Sequence, residues 1–265
     1  MRIGRNIRLL VTGLSLLYIL IPMLVTIPAS FTSASYPSFP PEGLSFQWYT
    51  KLLDRPEFIE AFFNSVKFAL LASFFGVLFG TLGAIAIAKY EIPGKSFLVS
   101  VLTAPLTVPQ LVLGVALLIY FTPLMLAGTQ TGLLIAHIII CVPYVIRFVL
   151  TGLSGFDYTL ERAAMILGAN PLKVFWRITL PLIRPAILSG ALFSFLISFD
   201  NVTVSLFMVS SGMRTLPLEI FSNMQDAYSP IVASVSSVVI IISVLLILIL
   251  EKLHGVGRLV GGAHE

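Results

Sequence analysis

Charge is scarce in this chain. Of 265 residues only 11% are Asp, Glu, Lys or Arg, where soluble domains carry about 25%. Apolar residues make up 57% and the mean hydropathy is +1.01, so the composition is that of a polytopic membrane protein. The length allows one bundle of several spans with short loops and leaves no room for a separate soluble domain. Cysteine is nearly absent too. Cys141 stands alone, which excludes an intrachain disulfide, and inside its apolar run it reads as a small core hydrophobe. Paired carboxylates, His–Cys clusters, the HExxH spacing and the nucleophile-elbow serine are all missing, so no catalytic residue and no metal site is expected. Gly94-Lys95-Ser96 invites a nucleotide-binding reading. A P-loop, however, needs a glycine five places before the second one, and Lys89 stands there. The chain has no visible means of hydrolysing ATP.

What is present is a series of uncharged runs long enough to cross a bilayer, which takes about 20 residues. They predict an all-α fold of six spans, at about 9–28, 65–88, 97–121, 133–152, 185–209 and 227–250. The first follows Arg2, Arg5 and Arg8 and is nearer 20 residues than the 7–15 of a signal-peptide core, so a retained span is expected, with a cleaved leader as the alternative. Gly76 and Gly80 form a small-xxx-small face on which helices can approach closely. No charge occurs between Lys95 and Arg147; residues 127–132 divide that stretch, and Pro105, Pro109 and Pro143 imply kinks or broken turns. Trp48 and Tyr49 fit interface anchors or loop packing, and Asn64 a cap or a packing contact. His137, alone in its span, suits an interhelical hydrogen bond better than a metal or proton role. Residues 211–229 read as an outer loop and 251–265 as a polar tail. Six spans put both ends on one side together with twelve of the sixteen basic residues, which makes that side the cytoplasm.

The stretch from Asp157 to Pro185 is the longest polar interval between apolar runs that carries several cations. Leu160, Ala163, Ala164 and Leu167 follow the i, i+3, i+4, i+7 pattern of one helix face. Asp157 or Thr159 can cap this helix, Glu161 sits in its first turn, and Gly168 with Pro171 ends it. A second short helix is expected from Leu172 to Ile178, stopping before Leu180-Pro181. An amphipathic helix in such a loop either lies on lipid or fits its apolar face into a groove of another protein.

In their order and spacing Ala163-Ala164, Gly168, Ile178, Leu180 and Pro181 resemble the cytoplasmic loop motif of binding-protein-dependent ABC importer permeases. That motif reads Glu-Ala-Ala, three residues, Gly, nine residues, Ile, one residue, Leu-Pro. Nine residues separate Gly168 from Ile178 here, while the family's Glu is replaced by Arg162, with Glu161 one place earlier. Phe62-Phe63-Asn64-Ser65 resembles the start of the family's second span. The segment from Ser198 to Met208, SFDNVTVSLFM, resembles the spermidine/putrescine-type branch. The resemblance runs from span two to span six and is strongest over residues 153–222.

It implies a type I importer permease fold with a cytoplasmic coupling helix, in a bacterial inner membrane. Leu160, Glu161, Arg162, Ala163, Ala164, Leu167, Gly168, Ala169 and Pro171 would meet an ATPase subunit. The implied partners are a second permease subunit, identical or paralogous, two ATPase subunits that hold the ATP and Mg, and a periplasmic binding protein that delivers solute. This chain itself would bind no cofactor or nucleic acid.

Asp200 is the only acidic residue deep in an apolar span and is by default a functional candidate. Asn201 and Thr203 add polar edges, and on a continuous helix Asp200 and Thr203 would share a face along a solute path. Structural pairing with another helix is the alternative. The anion and the polyamine-branch resemblance favour a polyamine or other small organic cation, with aminophosphonates, amino compounds and ferric iron as alternatives. A secondary transporter driven by an ion gradient, a rival from another class, would need several intramembrane ionisable groups. The spans offer essentially Asp200 and His137.

Overall fold

The computed structural model describes residues 2–210, 213–226 and 229–254, and every regular element among them is helical. The chain forms two compact units. One takes it as far as Ile59 and again from Glu219 to Leu250; the other takes Glu60 to Leu218.

The first unit opens with α1 (Arg2–Ala29), which contains the expected first span. Its apolar portion, Arg8–Ala29, has 22 residues, about 33 Å at 1.5 Å per residue and enough to cross a bilayer. The loop after it folds on its own polar groups and on α2 (Gln47–Leu53). Trp48 is buried; its indole N–H donates to the Thr32 carbonyl at 2.9 Å, and Lys51 Nζ lies 4.1 Å from its ring centroid. The Tyr49 hydroxyl lies 2.6 Å from the Ser30 hydroxyl and 3.3 Å from that of Ser237 on α12 (Ile231–His254). Both aromatics thus pack within this unit, Trp48 in its core. The expected outer loop 211–229 contains a helix, α11 (Leu216–Asp226), whose first amide is held by Ser65 Oγ at 2.8 Å. Leu216, Leu218 and Glu219 are its buried positions, a periodicity too short to stand out in the sequence. Residues 211, 212, 227 and 228, including the expected start of the last span at Ala227, lie outside the described residues, as does the tail from 255 on.

In the second unit α3 (Pro56–Lys89) begins earlier than the sequence suggests, so Asn64 sits within the helix. It packs rather than caps, its side-chain N–H donating to the Arg214 carbonyl at 3.3 Å. The third span is not one helix. α4 (Lys95–Thr103) passes through a 3-10 turn at Ala104–Leu106 and meets α5 (Gln110–Phe121) at a bend of 104°. Pro109 cannot donate to the preceding turn and pushes Val108 out of the helical region, which is why the run breaks there. Pro143, by contrast, is carried inside an unbroken α6 (Gln130–Ser154), capped by Thr129 Oγ1 on the Gly132 amide at 3.0 Å. α7 (Thr159–Ile166) and α8 (Pro171–Val174) follow. The chain then runs without interruption through a π-turn at Phe175–Thr179 into α9 (Leu180–Phe199). The expected stop before Leu180-Pro181 does not occur: the Leu180 N–H reaches back five residues to the Phe175 carbonyl, and this wider π-turn carries the proline inside a continuous helix. α10 (Thr203–Met208) completes the fifth apolar segment. Among the described residues four helices are long and apolar enough to cross a membrane: Arg8–Ala29, Pro56–Lys89, Gln130–Ser154 and Pro171–Phe199. The bent pair makes a fifth if it crosses as one, and Ile231–Leu245 is a shorter apolar helix.

α3, α6 and α9 pack through small residues, as expected where lipid offers no hydrophobic force between helices. A Cβ on Gly80 would lie 2.6 Å from Val145 Cβ and 3.1 Å from the Val142 carbonyl oxygen. Across α6, Cys141 Sγ donates to the Ser194 carbonyl while Ser194 Oγ donates to the Cys141 carbonyl, each at 3.3 Å. The lone cysteine is thus a buried packing residue with a polar contact. Gly80→Val should lower the stability of the purified protein by about 1–3 kcal/mol through overpacking. Gly83→Ala, whose new methyl meets only Ile146 Cδ1 at 3.8 Å, should be tolerated. Thermal unfolding in detergent compares them; equal midpoints would show that α3 and α6 do not approach this closely.

Candidate functional site

Two places in the second unit combine exposure with built polar structure. The first is α7. Its start is fixed by Asp157, whose Oδ1 accepts the Thr159 amide at 2.9 Å, while Thr159 is simply the first helical residue. Hydrogen bonds from the Thr159 side chain and amide hold the Asp157 carboxyl below the ordinary carboxylate range, so it stays ionised at the positive end of the helix. The helix ends in a Schellman turn. Gly168, at φ +87°, donates to the Met165 carbonyl and Ala169 to that of Ala164, both at 3.0 Å. Asn170 Oδ1 then accepts the Lys173 amide at 2.8 Å, and Pro171 opens α8.

The orientation of α7 is the reverse of an ordinary surface helix. Its apolar residues face outward: Leu160 is 47% exposed and Leu167 88%, with Ala163 exposed and Ala164 half-buried. Ile166, at 85%, and Leu172 extend this surface and were not singled out in the sequence. The acidic residue faces inward. Glu161 is buried and its Oε1 accepts from Lys89 Nζ at the end of α3, at 2.6 Å, and from Thr179 Oγ1 in the π-turn. Arg162, one place on, is exposed. The Glu–Arg order thus separates a charge that holds the helix from one offered outward. Lys89 and Thr179 lie 72 and 18 residues from Glu161 in sequence, and no local signal announces either.

The second place is the break between α9 and α10. Asn201 is buried; its Oδ1 accepts the Val204 amide at 2.9 Å and its side-chain N–H donates to Gln110 Oε1, at the start of α5, at 3.3 Å. Capping by Asn201 competes with helix continuation and opens the chain at residues 200–202. The expectation of a continuous helix with Asp200 and Thr203 on one face is therefore corrected. Nor is Asp200 buried within this chain: it is exposed at the end of α9, and no hydrogen bond or ion pair reaches its carboxylate among the described residues. Thr203 is half-buried, and Ser205 Oγ bonds back to the Asn201 carbonyl at 2.7 Å. His137 makes the expected interhelical bonds, at 2.7 Å to Ser198 on α9 and at 3.0 Å to Ser205 on α10.

Known proteins match most of the chain, both regions included. The family described as "Binding-protein-dependent transport system inner membrane component" matches residues 76–255. The spermidine/putrescine transport system permease protein PotC of Escherichia coli K12 is 32% identical over 234 residues, covering 87% of each chain. The putrescine transport system permease protein PotI of the same strain is 33% identical over 242 residues, 89% of this chain and 85% of its own. Among solved structures, a bacterial ABC transporter involved in import of the acidic polysaccharide alginate superposes with a TM-score of 0.75 at 18% identity, over 95% of this chain and 96% of its own.

The inward-facing Glu161 yields a direct test. Glu161→Ala would leave Lys89 without its partner and release α7 from both α3 and the π-turn. Tryptic cleavage at the exposed Arg162 should then accelerate about tenfold, as for a local opening made easier by about 1.4 kcal/mol. Cleavage at the wild-type rate would show that this cluster does not hold the helix.

Proposed function

The chain belongs to the family of binding-protein-dependent transport system inner membrane components and is a multi-pass inner-membrane permease of an ABC importer, not an enzyme in its own right; we propose that its solute is a polyamine of the spermidine or putrescine kind. The observation that carries this is Asp200. An anion at the C-terminal end of a 20-residue helix adds to the negative end of the dipole, where it does nothing for helix stability. Half-helix ends and unwound carbonyls of broken spans are suited to cations, and the carboxylate here has no internal partner among the described residues. The matched permeases named for spermidine and putrescine support the same solute class. Asn201 shapes the break, while Asp200, with Thr203 beside it, faces the solute.

The remaining parts of the proposal concern assembly. Two permease subunits enclose the path, six spans each, with both termini and the 157–185 loop in the cytoplasm. The outward apolar face of α7, with Arg162, Gly168, Ala169 and Pro171 around it, docks on an ATPase subunit; two such subunits carry the ATP and Mg. A periplasmic binding protein delivers the solute to the outer mouth.

In proteoliposomes with its ATPase and a loaded binding protein, the complex should take up labelled spermidine on addition of ATP. Asp200→Asn keeps size and hydrogen bonding but removes the charge, so uptake should fall about tenfold, equivalent to ~1.4 kcal/mol at the limiting barrier. Assembly should persist. Uptake at the wild-type rate would remove Asp200 from the path, and wild-type uptake of an aminophosphonate but no polyamine would end the polyamine reading.

Orientation is checked separately in a Cys141→Ala background. Lys173→Cys should resist an impermeant thiol reagent added outside, whereas Ser38→Cys should react. The reverse pattern would put α7 in the wrong compartment for an ATPase.

A further inference from the structure

A buried imidazole within a span is costly, and an apolar side chain would fill the same space. His137 is fully buried on α6, yet it is bonded on both sides of one defect. Nδ1 meets Ser198 Oγ, two residues before Asp200, and Nε2 meets Ser205 Oγ, five residues after it. The direction of these bonds follows from the serines. Ser205 gives its single hydroxyl proton to the Asn201 carbonyl at 2.7 Å, so toward the ring it accepts, and Nε2 donates. Ser198 then donates to Nδ1, and the neutral ring satisfies both. The same break reaches a second one: Asn201 donates to Gln110 at 3.3 Å, the first residue of α5 after the 104° bend of the third span. Both interrupted spans are therefore tied together where they break, and the imidazole is hydrogen-bonded to both sides of the fifth.

We propose that His137 is a positioning residue of the solute path: by holding Ser198 on α9 and Ser205 on α10 it sets the angle between the two half-helices and fixes where Asp200 is presented. It touches no solute. The uptake part of its test rests on the polyamine reading above; the labelling part does not.

The test uses the assembled complex in proteoliposomes at saturating loaded binding protein. Ser198→Ala with Ser205→Ala removes both grips with little change of volume, and spermidine uptake should fall about tenfold, the effect of two lost buried hydrogen bonds. His137→Leu should match it. His137→Asn, which places an amide near the Nδ1 position, and His137→Gln, which places one near Nε2, should each recover part of the loss. Because the effect is exerted through Asp200, the serine double variant in an Asp200→Asn background should lose less than about twofold more, a non-additive result that general destabilisation would not give. Independently, in a Cys141→Ala background, the rate at which Asp200→Cys reacts with a small cationic thiol reagent should change about threefold or more when the two serines are removed. If His137→Leu fails to assemble, the serine double variant decides. Uptake and labelling within twofold of the parent, or losses that multiply with Asp200→Asn, would overturn the proposal. Absence of spermidine uptake by the wild type would instead overturn the polyamine reading, and the labelling rate alone would then judge His137.

Discussion

Inside a bilayer there is no water to satisfy a broken backbone, and that constraint shapes this chain more than any other. A span can be interrupted only where protein groups replace the lost partners. The interruption of the fifth span meets the condition with a few side chains, one of which also ties it to the break in the third. Asn201 supplies a side-chain acceptor to the amide that starts α10 and a donor to Gln110 at the start of α5. His137 supplies one acceptor and one donor to the serines on either side. Between these satisfied groups sits Asp200, exposed and without an internal partner among the described residues. The proposed solute path accounts for an anion kept here, since the anion itself contributes nothing to the helix it ends.

At the other end of α9 the same economy of polar groups has a different geometry. α7 turns its apolar residues outward and keeps its carboxylate inside, so its hydrophobic face cannot serve the fold of this chain. An outward apolar surface of this kind suits docking, and it is the surface proposed above to meet the ATPase that drives an importer of this family. The departure from the family motif also acquires a physical meaning. Glu161, one place off the motif, is an internal tether, joined to Lys89 and Thr179. Arg162, in the place of the family's Glu, is exposed and gives the proposed docking surface a positive charge.

Much of this was legible in the sequence, and the remainder was not, for identifiable reasons. Span positions follow from uncharged length, so α1 and α6 came out nearly as drawn. The α7 helix was legible because its period, its acidic first turn and Gly168 agree, and the φ of +87° shows why glycine stands there. What could not be read were pairings across long separations: Glu161 with Lys89, Asn201 with Gln110, His137 with Ser198 and Ser205. Asp200 and Asn201 are polar in the sequence, but whether they line a helix or break one depends on a single side-chain cap at Asn201. Pro181 misled for a related reason. Proline predicts a stop only where the lost hydrogen bond cannot be absorbed, and the π-turn ahead of Pro181 absorbs it.

The two sites are joined by one element. From Pro171 to Phe199 the chain is helical without a gap for 29 residues, a span of about 44 Å at 1.5 Å per residue. One end carries Thr179, tied to α7 through Glu161; the other ends at Asp200. The π-turn at Phe175–Thr179 is the only departure from α geometry along it, and turns of this kind are frequent at functional sites. A force on α7 therefore enters α9 beside its one irregular turn and the C-terminal end of α3 at Lys89. α3 and α9 also share a bond farther along, from Ser73 Oγ to the Ala191 carbonyl at 2.8 Å, and both pack closely on α6. Packed helices shift as bodies rather than bend. Motion begun at α7 would thus arrive where α9 stops, at the break that presents Asp200.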